Sequence, residues 1–311
     1  MLLNGNKGKY MSSHDNLHSA LREIRDYRKI SHQINTSLLS QFTSAIKIWY
    51  NENRRQLPWR ETDNQFYIYV SEIMLQQTQV NRVLLKYDEF IQKFKTFYDI
   101  ANSDIPHLIT SWQGLGYNRR ILNLYKASII ICNKYSGNVP DTYNNLLNLP
   151  GIGAGTAGSL LAFVHNKPSV FIETNVRTLY SYAFFPDRDQ IDDKSLMPLI
   201  EQTVDIDSPR EWYYALMDAG SYLKQSIRVP NSLSKHYTKQ SKFSGSKREI
   251  RGGILKILGN QSQVTLNEIE TKYPETKHDI QSIAGDLINE GFILCDSMGN
   301  YALNTIKKSP S

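Results

Sequence analysis

Two glutamates in this chain stand where a carboxyl group can do more than meet solvent. Glu72, in the run EIMLQQTQ, has Ile68, Tyr69 and Leu75 beside it in a helical pattern, and Gln76 and Gln79 follow on the same face at spacings of four and three. A carboxyl group beside apolar side chains loses hydration and can keep a proton to near neutral pH, as a general acid must. A solvated Glu-Gln-Gln face would show the same spacing. Glu173, in FIETNVR, closes an apolar run just ahead of a helix start. Thr174 and Asn175 are capping types, and an acid at a helix N-terminus is stabilised as an anion. A structural cap alone would look the same.

A third feature is LPGIGAGTAGSLLAF, residues 149–163, where Gly151 and Gly153 stand one residue apart between helical segments. Such a turn brings bare backbone N–H groups within reach of a phosphate, with the positive end of the following helix aimed at it. A tight helix connection packed for its own sake is the plainer alternative.

These residues need a frame to hold them. From Ser37 onward helical patterns dominate, separated by short loops rich in Gly, Pro and Asn, and strands are scarce until the far end. This predicts an all-α domain over residues 36–225, preceded over 1–35 by a loosely ordered extension with at most a short helix in SALREIRDYRKI. The whole of NQFYIYVSEIMLQQTQVNRVLLKYDEFIQKF reads as one helical stretch. Residues 226–247 are polar and basic and read as an exposed linker. Over 248–306 the order helix, short strand, two helices and two strands around a Gly-Asn turn is that of a small winged-helix-like α+β domain. Such a module can contact protein as well as DNA.

The chain has 311 residues, 40% of them hydrophobic and 21% charged, as in a globular protein, and a formal net charge of +6. Between Asp218 and Glu249 lie Lys224, Arg228, Lys235, Lys239, Lys242, Lys247 and Arg248 with no acid among them, a placement suited to an anionic partner. The only two cysteines, Cys132 and Cys295, exclude a disulfide framework or a cysteine-rich metal site and point to a reducing compartment. No apolar run approaches the ~18 residues of a membrane span, and the N-terminus lacks a signal-peptide core. The expectation is a cytoplasmic monomer that has an anionic partner and needs no metal or other cofactor.

LPGIGAGTA resembles the helix-hairpin-helix of the base-excision DNA glycosylases (the HhH-GPD superfamily), and further segments resemble its MutY-like adenine glycosylase branch. They are RRQLPWR at 54–60, VSEIMLQQTQV at 70–80, WQGLGYNRR at 112–120, ETNVRTL at 173–179 and ALMDAGS at 215–221. Together with the hairpin they cover about residues 40–225 in order and at similar spacing. The resemblance implies a two-lobed helical glycosylase domain acting on double-stranded DNA that carries a mismatched or damaged base.

In that frame Glu72 protonates the departing purine, and Glu173, where the family has Asp, stabilises the oxocarbenium-like sugar and helps direct water. Arg55, Leu57 and Trp59 line the base pocket, with Asp218 beside it. Gln76, Gln77 and Tyr117 supply the wedge and opposite-base contacts needed once a base is extruded. Gly151, Gly153, Gly155 and Thr156 face the DNA backbone, and Lys235, Lys239 and Lys242 follow phosphates in the basic linker. Gly155 stands where bond-cleaving relatives carry a Schiff-base lysine, which implies hydrolysis without lyase activity. The four-cysteine iron-sulfur cluster of many relatives has no ligands here, and a winged helix stands in place of their Nudix-like C-terminal domain. The reading that follows is a monofunctional glycosylase releasing adenine opposite guanine or 8-oxoguanine. Release of thymine or uracil opposite guanine, or DNA binding without catalysis, are the alternatives.

Overall fold

The computed structural model describes residues 12–31, 33–188, 190–229, 235 and 242–305. In chain order the helices are α1 (Ser13–Ile30), α2 (Thr36–Asn53), α3 (Gln65–Leu75), α4 (Val80–Lys93), α5 (Phe97–Asn102), α6 (Ile105–Ser111), α7 (Arg119–Tyr135), α8 (Tyr143–Leu147), α9 (Ala154–His165), α10 (Thr174–Phe184), α11 (Asp193–Thr203) and α12 (Pro209–Ser226). The C-terminal part adds α13 (Lys247–Asn260), β1 (Val264–Thr265), α14 (Leu266–Glu270), α15 (Ile280–Asn289), β2 (Ile293–Cys295) and β3 (Asn300–Leu303). No described helix is long and apolar enough to cross a membrane.

Two compact units form, one from residues 1–56 and 161–238, the other from 57–160 and 239–311. The helical region is therefore two-lobed, and the boundary at Leu160 and Leu161 falls inside α9.

In the first unit α10 and α12 make the most extensive helix pair, with α1 and α2 packed alongside. Phe42 of α2 lies with its ring centroid 4.9 Å from both Tyr180 and Phe184 of α10, and all three are fully buried. The close fit of α12 on α10 depends on Gly220. A Cβ built there would sit 2.1 Å from the carbonyl oxygen of Asn175, so no larger residue fits without driving the helices apart. The expected loose extension instead contains α1, eighteen residues long. A Ser12–Asp15 capping box starts it, and Leu17, Leu21 and Ile24 form a narrow, fully buried stripe amid charge. Arg28 fastens its end through a 3.1 Å bond from Nε to the Phe184 carbonyl, and Arg25 donates to the Tyr182 carbonyl.

In the second unit the single helix expected across residues 64–94 is two helices. α3 ends at Leu75, Gln77 adopts a left-handed φ of 55°, and α4 begins at Val80. The cause lies far along the chain. The buried Arg120 guanidinium donates through Nη1 to the carbonyls of Ile73, Met74 and Gln76 at 3.0, 2.7 and 2.8 Å. Through Nη2 it reaches Leu115 and Gly116 at 3.1 and 2.8 Å. It thus satisfies the open carbonyl end of α3 and pins the 113–118 turn to it. Glu72, Gln76 and Gln79 consequently do not share one helical face.

The C-terminal elements have the expected winged-helix order. Their antiparallel sheet runs β1-β3-β2, with Val264 opposite Tyr301 and Leu294 opposite Ala302. They do not stand as a separate domain, however. Ile250, Ile254, Leu258 and Phe292 share one hydrophobic core with Ile105 and Ile109 of α6 and Leu122 of α7. A module this small buries too little apolar surface by itself, and the apolar faces of α6 and α7 complete its core.

Candidate active site

In the second unit Glu72 lies near the end of α3, half-buried, and Ser159 of α9 donates its hydroxyl to Glu72 Oε2 at 2.6 Å. The same Ser159 hydroxyl lies 3.1 Å from the Thr156 carbonyl. One hydroxyl has one proton and can still accept, so the arrangement suits both forms of the acid. With Glu72 ionised, Ser159 donates to it. With Glu72 protonated, Glu72 donates to Ser159, which donates on to Thr156.

The hairpin adjoins this acid. Gly151 has φ 81° and no room for a side chain, since a Cβ would meet the Asn123 side chain at 2.8 Å. Gly153 and Gly155 are exposed, and Thr156 sits in the first turn of α9. The Gln76 amide donates to the Gly151 carbonyl at 3.3 Å and to Thr156 Oγ1 at 3.2 Å, tying the α3–α4 break to the hairpin. Gln77 is exposed at the break. Tyr117, with a left-handed φ of 47°, accepts a 2.6 Å bond at its hydroxyl from Arg248 Nη1 and lies under both the Arg120 and Arg248 guanidiniums. Burial pulls the Arg120 pKa down to about 10, partly offset by Tyr117.

Leu57 and Trp59 belong to the core of this unit rather than to an open pocket wall. The Trp59 indole is 3% exposed and meets Tyr87 edge-on at 5.2 Å, which leaves little of its face for a base. Lys242 is exposed and, with Lys247, Arg248 and His278, lines an open depression of about 480 Å³. Lys239 lies outside the described residues.

In the first unit Glu173 is itself the N-cap of α10. Its Oε1 accepts the N–H groups of Asn175 at 3.0 Å and Val176 at 3.2 Å. The cap was expected to favour the anion. Burial outweighs it and holds the carboxyl above its ordinary pKa, against the pull of the two N–H groups, Lys224 and Arg177. Asp218, nearly fully buried, accepts from Arg55 Nε at 2.6 Å and from the Arg55 N–H at 2.9 Å. It therefore anchors the segment that follows α2 instead of lying on a helix surface. Lys235 is exposed and pairs with Asp192 at 3.7 Å.

Arg120, Ser159 and Gly220 escaped the sequence reading, and Lys224 entered it only as the first of the basic run. Arg120 and Gly220 stand inside the quoted motifs WQGLGYNRR and ALMDAGS, a weak signal that could have found them. Nothing local marks Ser159, and nothing local ties Lys224 to Glu173. Cys132 on α7 and Cys295 on β2 cannot supply the four thiolates of an iron-sulfur cluster, so the donor set does not fit that group.

Residues 70–203 match the family model of the HhH-GPD superfamily of base excision DNA repair proteins. The chain is 35% identical over 184 residues to the adenine DNA glycosylase of Buchnera aphidicola subsp. Baizongia pistaciae, across 58% of this chain and 52% of that one. It thus spans about half the length of that curated relative. It is 31% identical over 283 residues to the adenine DNA glycosylase of Mycobacterium tuberculosis, across 82% of this chain and 91% of the relative. Among solved structures, a thermostable thymine-DNA glycosylase superposes with a TM-score of 0.54 at 28% identity, covering 62% of this chain and 90% of that one.

Proposed function

Because the chain belongs to the HhH-GPD superfamily of base excision DNA repair proteins, we propose that it is a DNA glycosylase that hydrolyses the N-glycosidic bond of adenine mispaired with guanine or 8-oxoguanine. The observation that carries the reading is Glu72, hydrogen-bonded by Ser159 and next to a glycine hairpin suited to a DNA phosphate.

The chemistry follows from the two carboxyl groups. As the bond between the base nitrogen and C1′ breaks, its electron pair stays with the base, and the Glu72 proton neutralises the developing negative charge. Ser159 then turns its hydroxyl back to the Glu72 carboxylate. The cationic sugar is stabilised by ionised Glu173, whose Oε1 is held by the α10 N–H groups, leaving Oε2 to attract the sugar and the incoming water. Water adds its oxygen to C1′ and gives up a proton to a carboxylate. With Gly155 in the first turn of α9, no amine stands there to attack C1′, so the product is an intact abasic strand. Basic residues of 226–248 would follow phosphates, and neutralising them should flatten the salt dependence of DNA binding.

Glu72→Gln should bind a duplex with adenine opposite 8-oxoguanine as wild type does yet release no adenine, a loss of at least about 100-fold by the usual worth of a general acid. Gel-shift and base-release assays on one preparation check both halves, and full activity in the variant would refute the assignment. The structural likeness to a thymine-DNA glycosylase favours a second reading, release of thymine opposite guanine. A panel of defined mismatches separates the two.

A further inference from the structure

The first unit places a half-buried ammonium group near the carboxylate just described. α12 crosses the N-terminus of α10 at Gly220, close enough that the Asn175 carbonyl fills the space of a Cβ. Four residues later, on the same face of α12, Lys224 extends along α10 and donates from Nζ to Asn175 Oδ1 at 3.0 Å. The backbone N–H of that same Asn175 donates to Glu173 Oε1. One residue therefore receives the ammonium on its side chain and holds the carboxylate with its main chain.

We propose that Lys224 is a positioning residue for Glu173, fixing the α10 N-terminus through Asn175 and supplying the positive field that keeps the carboxylate charged while the sugar cation forms. The proposal rests on the reading of Glu173 as the anionic partner in glycosidic cleavage. The surrounding charges support it. Arg177, on α10, is the other cation whose field reaches Glu173, but Asp193 of α11 holds it in a two-pronged pair at 2.6 and 2.8 Å, which compensates its charge. On α12, Asp218 is committed to Arg55. Lys224 itself feels burial, which lowers its pKa, and the field of Glu173, which raises it, so the two groups are electrostatically coupled. Neither Asn175 nor Lys224 needs to touch substrate for this role.

The test uses the full chain, with Lys224→Met removing the cation and Lys224→Arg keeping it. Single-turnover adenine release from a duplex carrying adenine opposite 8-oxoguanine is followed from pH 5 to 9. Losing a group that favours the ionised form moves the acid limb to higher pH, by about one unit in the methionine variant, with an approximately tenfold loss of rate on the acid side. The arginine variant should hold the limb near the wild-type position. A limb that stays in place in Lys224→Met, a rate that falls equally at every pH, or an arginine variant that shifts as far as methionine overturns the proposal. If methionine prevents folding, Asn175→Ala, which releases the ammonium but keeps the main-chain bond, should give a smaller shift in the same direction. Carbon-13 titration of the Glu173 carboxyl, assigned by its absence in Glu173→Gln, reads the coupling without catalysis. If wild type releases no base, the functional reading fails, and this titration alone decides whether Lys224 sets the charge on Glu173.

Discussion

A glutamate that caps a helix and is also partly desolvated carries opposing demands, and at Glu173 desolvation wins. The sign of the pH dependence follows. A carboxyl whose folded pKa is raised carries no penalty below the unfolded value of about 4.3, loses stability as pH rises between the two values, and bears the full cost above the folded one. Glu173→Gln keeps an oxygen for the Asn175 and Val176 N–H groups and removes the charge. It should therefore melt above wild type at pH 8, by roughly 2–4 °C per kcal/mol recovered, with the gap closing toward pH 4, while base release is lost. Equal melting curves at pH 8 would show that the carboxylate is not desolvated. Both acids were legible in the sequence because each sits in a recognisable run. Their partners were not, since Ser159 and Lys224 reach them across 87 and, through Asn175, 49 positions of chain, where periodicity carries no information.

At the scale of elements, the break between α3 and α4 is the clearest departure from a pattern reading. The sequence is helix-compatible on both sides of Gln76, with no Pro or Gly to announce an interruption, so only a distant donor can explain why it ends there. Arg120 is that donor. A lysine side chain in its place would bring three donors on a single nitrogen to carbonyls that Arg120 serves from two separate ones, so Arg120→Lys leaves several buried acceptors unmet. A loss of about 3 kcal/mol is expected in urea denaturation, together with faster amide exchange across residues 76–79. A loss under about 1 kcal/mol would mean that water or local rearrangement serves those carbonyls as well. α1 illustrates the opposite failure. Its stripe of Leu17, Leu21 and Ile24 has helical spacing, but with three apolar residues amid charge the periodicity is weak, and residues 1–35 read as a loosely ordered extension.

Across the molecule, the mostly helical class and the order of the winged-helix elements followed from periodicity and turn residues. That the C-terminal elements complete a core with α6 and α7 did not, because a shared core is a property of faces far apart in sequence. A chain ending at Ser246 would bare Ile105, Ile109 and Leu122, at about 1.5–3 kcal/mol for each side chain returned to water. It should bind a hydrophobic dye and melt well below the full chain. Unchanged melting of the remaining residues would mark the C-terminal part as independent. The net charge of +6 fits an anionic partner but did not by itself identify the face that meets one.

The missing side chain at Gly220 acts as a spacer of zero thickness. One added methyl group would have to push α12 off the Asn175 carbonyl and, in the same movement, carry the Lys224 amine out of reach. Inheritance at this codon is therefore judged once for two traits, how the helices fit and how a catalytic charge is held, and no mutation there can trade one against the other.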